Sequence, residues 1–272
     1  MENTSFSHTA VLPAEDFKFL VFRYHFFKTG NDDGKWFTEK HIPDGFASIT
    51  FNFNLAIGAV INDVEKFLPE VYLTLPHLGF VKVFTKPNAD VMIVSAKASV
   101  VSKIFDLNLS NAPNGIYYFE DPVWKKKFGE LKPITSHDER IRIFEKFILN
   151  TLHEVKYQED EIDCAYDGIF KNEGLLSVKN LAEISFTTER TLRRNFKNRV
   201  GVSPKTMIRI VRFNKLWHKV QNDLPIDYQD LCFYGDFYDQ SHFIHEVERI
   251  TGENPSDFFG KNLDLVKLMS GF

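Results

Sequence analysis

The chain has 272 residues, enough for two domains of ordinary size, and its 43% hydrophobic and 15% aromatic residues exclude a disordered protein. Cys164 and Cys232 are too few and too far apart for a disulfide framework or a cysteine metal site, which favours a reducing compartment. The net charge is −4, no apolar run approaches the roughly 20 residues that span a bilayer, and the amino terminus lacks a signal-peptide pattern. We therefore expect a cytoplasmic protein without membrane association.

Short β-type runs dominate the first half of the chain. Aromatic or alternating stretches predict strands, a short helix follows them, and breaks containing glycine, proline or polar residues separate them. The predicted strands are Phe17–Tyr24, Ser48–Phe53 and Val91–Val94, the helix is Ser99–Leu107, and the breaks fall at 29–35, 43–45 and 86–88. This pattern predicts a mainly β domain, which we place at residues 1–135.

A helix of about twenty residues is predicted from Ser136 to Val155. Ser136 and Glu139 have the spacing of a capping box. The helix carries one apolar stripe, formed by Ile141, Phe144, Ile148, Leu152 and Val155. This stripe can pack on the β domain of its own chain, or it can pair with the same helix of a second subunit and form a homodimer. The polar segment 157–161 is predicted to be a hinge, so residues 136–161 form a linker.

No catalytic pattern emerges from the sequence. His8, His25, His41 and His77 lack the close spacing that lets two imidazoles bind one metal ion. There is no G-x-S-x-G elbow and no glycine-rich phosphate loop. We therefore predict no enzyme, no cofactor and no metal site. A mainly β domain can hold an apolar pocket, so a small-molecule effector is a candidate partner.

Two pairs of short helices are predicted within residues 162–272, after a first helix at Ile162–Lys171. In each pair a tight turn separates the helices, which is the helix-turn-helix pattern. The first pair is Ser177–Ile184 and Thr188–Lys197, the second pair is Asp227–Phe233 and Asp239–Ile250, and Pro204–Gln221 connects them.

Charge is distributed unevenly along this second half. Residues 190–219 contain ten Lys or Arg and no Asp or Glu, whereas residues 220–264 contain ten acids and only Arg249 and Lys261 as basic residues. The first pair and the connecting helix therefore carry a local positive field that the net charge conceals. A surface of this kind suits nucleic acid, and the alternative is a basic face that is merely solvated.

The two helix pairs resemble the AraC/XylS family of bacterial transcription regulators. The matching residues are Leu181-Ala182, Thr188–Lys197, Gly201–Pro204, Asp239–Ile244, Thr251-Gly252, Pro255-Ser256 and Phe258. The Pro43-Asp44-Gly45 turn before a strand is similar to the sensory domain of some members. The resemblance implies an α+β protein, in which a mainly β sensing or dimerisation domain precedes an all-α domain with two helix-turn-helix units joined by a connecting helix.

The resemblance also implies a function. Such a protein binds double-stranded DNA sequence-specifically, reads two successive major grooves, and contacts RNA polymerase if it is an activator. The implied base-reading residues are Arg190, Arg193, Arg194, Gln240, Ser241, His242, Ile244 and His245, and the candidate phosphate contacts are Thr188, Lys197 and Lys205. Arginine can bond guanine O6 and N7 together, glutamine can pair with adenine, and isoleucine can touch a thymine methyl. His242 has an alternative role in seating its helix.

Three positions depart from the family pattern. Asp236 stands where the family usually has glycine, and aspartate tolerates the left-handed backbone that such a turn needs. Glu246 and Glu248 stand where relatives are commonly basic or aromatic, and we expect both to repel phosphate and weaken the second unit. The rival function is a ligand-binding or protein-interaction module whose helical domain has lost specific DNA binding.

Overall fold

The computed structural model describes residues 6–30, 36–61, 63–222 and 228–260. The chain forms two compact units. A β-rich unit comprises Met1–Glu39, Phe46–Leu75 and Val81–Gln158, and a helical unit comprises Lys40–Gly45, Pro76–Phe80 and Glu159–Phe272. Antiparallel strands fill the first half of the chain and helices fill the second, which confirms the predicted α+β class.

The β-rich unit is built from two antiparallel sheets. Its strands are β1 (Phe6–Val11), β2 (Val21–Thr29), β3 (Phe37–His41), β4 (Ala47–Asn52), β5 (Ile57–Ile61), β6 (Val64–Phe67), β7 (Val71–Thr74), β8 (Val81–Thr85), β9 (Asp90–Ala96) and β10 (Ile116–Tyr118). One sheet has the order β1-β2-β9-β4-β7-β10 and the other has the order β3-β8-β5-β6. The central strands β9 and β4 are almost wholly buried, so the core lies on the larger sheet.

Two of the three predicted strands agree with β4 and β9, and the first is displaced. Phe17–Tyr24 was expected to be a strand, but Glu15–Phe17 form a short 3-10 helix and β2 starts at Val21. Phe17 and Leu20 are buried there without joining the sheet. The pairing of β2 with β9 also shifts its register between Val21 and Arg23. An aromatic run therefore marked buried residues correctly but not their backbone conformation.

The described residues of the β-rich unit also include the α-helices α1 (Ala98–Ile104), α2 (Pro122–Leu131) and α3 (His137–Val155). The predicted cap of α3 is present, because the Ser136 hydroxyl accepts from the backbone N–H of Glu139 at 3.3 Å. Phe144 of α3 lies edge-on to the rings of Tyr24 and Phe51, with centroids 6.3 and 6.0 Å apart. The stripe thus packs within its own chain, and its buried members are Ile141, Phe144 and Ile148. A homodimer stays a prediction.

A buried ion pair also joins α3 to the larger sheet. The guanidinium of Arg140 makes two 2.8 Å hydrogen bonds to the carboxylate of Asp90 at the start of β9. The same guanidinium lies 3.9 Å from the ring centroid of Phe53. The side chain of Arg140 is only 1% exposed, so its charge depends on these two partners.

We expect the β-rich unit to lose stability as the pH falls below about 6.5. Nδ1 of the buried His25 lies 3.0 Å from Nε2 of His8, and burial lowers the pKa of His25 from 6.5 to about 3. Between these values the unfolded chain binds a proton that the folded chain does not, so acid favours unfolding. Urea unfolding of the wild type between pH 7 and 4 should show this slope, and His25→Gln should flatten it. The exposed His153→Gln is the control, and equal slopes in all three proteins would contradict the assignment.

The helical unit contains α4 (Glu161–Lys171), α5 (Val178–Ile184), α6 (Glu189–Val200), α7 (Pro204–Asn222), α8 (Tyr228–Tyr234), α9 (Gln240–Thr251) and α10 (Pro255–Gly260). The first six agree with the predicted helices to within three residues, and α10 was not predicted. Asp227, the predicted start of α8, lies outside the described residues. Within the described ranges no helix is long and apolar enough to cross a bilayer, and no cluster of three or more His, Cys, Asp or Glu residues is placed to hold a metal ion.

Two segments from the first half of the chain, residues 40–45 and 76–80, are built into the helical unit. The buried amide of Asn214 donates to the Pro43 carbonyl at 2.9 Å, and the hydroxyl of Tyr166 donates to the Gly45 carbonyl at 2.6 Å. Ile42 and Leu78 join the apolar core around α7, α8 and α9. The buried members of that core are Ile42, Phe213, Leu216, Trp217, Val220, Leu231, Cys232, Phe243, Val247, Ile250 and Phe258. The helical unit is therefore not one continuous stretch of sequence.

Candidate nucleic-acid interface

Helix α6 begins and ends at sharply defined caps. The Thr188 hydroxyl accepts from the backbone N–H of Thr191 at 3.2 Å, so Thr188 is the N-cap. Gly201 ends the helix in the left-handed region with φ of 87°, where a side chain would be strained. Leu192, Phe196 and Val200 are fully buried and hold one face of α6 against the unit. The opposite face is thereby fixed towards solvent.

The second helix-turn-helix repeats the first, and its second helix, α9, starts 51 residues after α6. Asp239 caps α9 as Thr188 caps α6, accepting from the backbone N–H of His242 at 2.7 Å. Both helices have twelve residues and end in a left-handed glycine, Gly201 or Gly252. A helix starting with proline then follows each of them, α7 or α10. Each residue of α6 thus has an equivalent in α9.

The turn before each of these helices uses a left-handed residue that is not glycine. Asp236 has φ of 52° and Phe186 has φ of 53°. The backbone N–H of Phe237 donates to the Cys232 carbonyl at 2.9 Å, and that of Thr187 donates to the Ala182 carbonyl at 3.0 Å. The expectation that aspartate preserves the second turn is therefore confirmed, because both turns close with the same hydrogen bond.

The solvent face of α6 carries four basic side chains, which we name the basic stripe: Arg190, Arg193, Arg194 and Lys197. At about 100° per residue they span one third of the helix circumference. Arg193 makes a 2.8 Å ion pair with Glu189, and Nε of Arg194 donates to Asn195 at 3.2 Å. The exposed pair is weak and can rearrange when a ligand approaches. The stripe is thus available for contact with an anionic partner.

Tertiary structure divides the ten basic residues of 190–219 into two equal sets. The exposed set consists of Arg190, Arg193, Arg194, Lys197 and Lys205, and the half-buried set consists of Arg199, Arg209, Arg212, Lys215 and Lys219. Every basic residue predicted to contact DNA belongs to the exposed set. The local positive field is accordingly smaller than the charge count suggests, because the second set is used inside the unit.

The half-buried basic residues hold helices together. Arg199 of α6 pairs with Asp160 at 2.9 Å and Asp163 at 3.2 Å, and these two carboxylates also form the capping box of α4. Lys215 pairs with Glu173 at 2.9 Å. Since Asp160 lies in the segment predicted to be a hinge, the carboxyl end of that segment is tied to α6.

Arg209 and Arg212 of α7 face the second repeat. Arg212 stacks over the ring of Phe237 at 4.7 Å, and burial lowers the pKa of its guanidinium. Arg209 makes two hydrogen bonds to the carboxylate of Glu246, at 2.5 and 2.6 Å. These contacts hold α7 against the turn between α8 and α9 and against α9 itself.

The pairing with Arg209 corrects the role expected of Glu246. The side chain of Glu246 is 7% exposed and points towards α7, so it does not present its charge to a phosphate. Glu248 differs, because its side chain is 44% exposed and lies 3.7 Å from His245. The physical reason is the helix period: Glu246 follows Phe243 by three residues and precedes Ile250 by four, and both are buried.

The solvent face of α9 is almost free of positive charge. Ser241, Ile244, His245 and Glu248 occupy the positions equivalent to the basic stripe, and Gln240 lies at the edge of that face. All five are exposed. The face offers hydrogen-bonding and apolar groups, and it brings together four of the five base-reading residues predicted on α9.

The remaining predicted residue of α9, His242, lies apart from the other four. It is equivalent to Thr191 and lies about 60° beyond His245, at the edge of the face opposite Gln240. Its ring packs edge-on against Phe237, with centroids 5.3 Å apart. This geometry favours the seating role over base reading. The phosphate role of Thr188 stays a prediction, and its hydroxyl already bonds the backbone N–H and the hydroxyl of Thr191.

The repeat also shows a residue that the sequence analysis missed. Glu189 is equivalent to Gln240, since each is the first residue after its N-cap. Glu189 is exposed and lies beside Arg193 at one edge of the basic stripe. Aligning the second helix of each pair, α6 with α9, at the spacing of 51 would have found it from the sequence.

In a comparison with known proteins, residues 181–261 match a family model described as a helix-turn-helix domain. No curated protein is significantly similar in sequence. Among solved structures, ToxT from Vibrio cholerae is 11% identical with a TM-score of 0.45, and the match covers 95% of this chain and 98% of that chain.

Two further structures show similarly low values. ToxT from Vibrio cholerae strain SCE256 with a bound unsaturated fatty acid is 13% identical with a TM-score of 0.42, covering 95% of this chain and 97% of that chain. The AraC-like transcriptional activator CuxR is 10% identical with a TM-score of 0.27, and the match covers 97% of this chain and 88% of that chain. The matched helix-turn-helix domain and the geometry of its two repeats are therefore the features that bear on function.

Proposed function

We infer that this chain, whose residues 181–261 form a helix-turn-helix domain of the AraC type, is a sequence-specific DNA-binding transcription regulator. The observation that carries the inference is the basic stripe. Four basic side chains share the solvent face of a capped recognition helix, while the half-buried basic residues around them are used in packing. Such a face fits the major groove of DNA, where arginine bonds guanine O6 and N7 together.

The two repeats have unequal roles in this proposal. α6 contributes affinity through charge and reads guanine through arginine. α9 contributes base contacts, with Gln240 pairing with adenine and Ile244 touching a thymine methyl. α7 contacts α6 of the first repeat and shares one apolar core with α8 and α9 of the second, which favours entry of both recognition helices into successive major grooves.

The rival function, a module that has lost DNA binding, has less support. In a domain that had lost DNA binding, nothing would require basic residues on the exposed face while other basic residues are buried in ion pairs. The predicted small-molecule effector, a contact with RNA polymerase and a homodimer all stay predictions. Selection of bound fragments from genomic DNA decides between the two functions, because the rival selects no sequence.

We expect Arg193→Ala and Arg194→Ala each to weaken binding to a selected fragment by about 5- to 150-fold, corresponding to about 1–3 kcal/mol for a bidentate base contact. Binding to random DNA should fall far less, because base contacts contribute little there. Fluorescence anisotropy with both DNAs at several salt concentrations measures the two losses.

Lys205→Ala is the matched control for these variants. It removes one exposed charge at the start of α7, and should weaken binding to both DNAs alike and reduce the salt slope by about one unit. If the two arginine variants behaved in the same way as Lys205→Ala, they would be phosphate contacts and the base-reading role would be withdrawn.

A further inference from the structure

Glu189 is an acid at the edge of a surface that is otherwise basic. Its carboxylate is exposed and accepts a 2.8 Å hydrogen bond from Nη2 of Arg193, one helical turn away. Near DNA an exposed acid repels phosphate, so it opposes the general attraction that the basic stripe provides. A plain structural role exists as well, because an acid in the first turn of a helix stabilises the helix dipole.

The position of Glu189 favours a role in base recognition. The amino-terminal residues of a recognition helix reach furthest into the major groove. Glu189 is the first residue after the N-cap, on the side of α6 where Arg193 also emerges. Its repeat equivalent, Gln240, is likewise exposed at the first position of α9.

The chemistry of a carboxylate limits what it can read. An ionised carboxylate only accepts hydrogen bonds. In the major groove the donors are the amino groups of cytosine N4 and adenine N6, and a carboxylate characteristically accepts from cytosine. Guanine O6 and N7 are acceptors and would repel it. A carboxylate beside an arginine therefore suits a cytosine next to a guanine that the arginine bonds.

We propose that Glu189 is a specificity-determining residue that accepts a hydrogen bond from a cytosine amino group, while Arg193 bonds a neighbouring guanine. The proposal rests on the function proposed above and adds one base to it. Gln240 carries both a donor and an acceptor and suits adenine. The two repeats thus select different bases at equivalent positions, cytosine under α6 and adenine under α9.

Glu189→Gln tests the proposal, because it gives α6 the side chain that α9 has at this position. The full-length wild type and variant each select from a pool of randomised DNA. We expect one position of the selected sequence to change from cytosine to adenine, and binding to the wild-type fragment to fall about 5- to 150-fold. Binding to random DNA should stay equal or tighten, since a negative charge is lost.

Two controls separate this role from simpler ones. Glu183→Gln removes the same charge from the exposed end of α5, where Glu183 pairs with Lys179, and should leave base preferences unchanged. Thermal melting of each variant by circular dichroism shows whether α6 remains folded. Arg193→Ala identifies the base pair that depends on the arginine.

The outcomes distinguish the inference from the proposed function. A switch to adenine at a base pair other than the one relaxed by Arg193→Ala supports the inference. Unchanged preferences in Glu189→Gln, or relaxation only at the Arg193-dependent base pair, overturn it and reduce Glu189 to a partner of Arg193. If the wild type itself selects no sequence, the proposed function fails and the inference fails with it.

Discussion

Glu246→Lys is expected to destabilise the helical unit by about 3–5 kcal/mol, because it breaks a buried ion pair and leaves two cations together. The carboxylate it removes is 7% exposed and bonds Arg209 twice. This loss is a large fraction of the roughly 5–15 kcal/mol that stabilises a typical domain. Urea unfolding followed by circular dichroism, with hydrogen exchange of α7 and α9, measures the change.

Glu248→Lys is the matched control on the same helix. Its side chain is 44% exposed, so the free energy of unfolding should change by no more than about 0.5 kcal/mol. Because Glu248 is equivalent to Lys197, the substitution should tighten DNA binding at low salt and add up to about one unit of salt slope. Combining Arg209→Glu with Glu246→Arg should restore part of the lost stability. Equal stability of Glu246→Lys and Glu248→Lys would show that the ion pair does not hold α9.

A fragment of residues 159–272 is expected to be far less stable than the helical unit of the whole chain. It lacks Ile42, a buried member of the apolar core worth about 1.5–3 kcal/mol, and Leu78, which is partly buried against that core and contributes less. The fragment also lacks the carbonyls of Pro43 and Gly45, which accept hydrogen bonds from the Asn214 amide and the Tyr166 hydroxyl. Each of these lost hydrogen bonds costs about 1–3 kcal/mol of stability. Together these losses approach the whole stability of a domain. Thermal melting of the fragment by circular dichroism gives the direct measurement.

Point variants of the whole chain test the same idea without truncation. Ile42→Ala should destabilise the helical unit by about 2–5 kcal/mol, since the side chain is 6% exposed in the core. Leu175→Ala, at a leucine that is 41% exposed, should change the stability by less than about 1 kcal/mol. Hydrogen exchange of α8 and α9 reports both effects. A fragment that melts cooperatively at the temperature of the intact protein would refute the contribution of residues 40–45 and 76–80.

Local sequence was sufficient for the helices of the candidate interface. The caps at Thr188 and Asp239 and the glycines at 201 and 252 mark the ends of α6 and α9, because each satisfies backbone groups within its own turn. The period of buried residues on each helix fixes which side faces solvent. The four basic residues of the basic stripe on α6 are exposed for this reason.

Sequence was less informative for the β-rich unit. An aromatic run such as Phe17–Tyr24 suits any buried conformation, and its register depends on β9, a strand some seventy residues away. The sequence also left undecided which surface the apolar stripe of α3 packs against. An apolar helix face has to be buried against something, but either a sheet of the same chain or a second subunit can bury it equally well.

The sequence by itself determined the two helix-turn-helix repeats and the exposed faces of α6 and α9, whereas the inward direction of Glu246 emerged only with the tertiary structure. Only the tertiary structure decided that Arg209 meets Glu246, that Arg199 meets Asp160 and Asp163, and that residues 40–45 and 76–80 complete the helical core. Caps and periodicity act within a few residues along the chain. The partner of a buried charge, or the cover of an apolar face, comes instead from a distant segment that only the fold brings close.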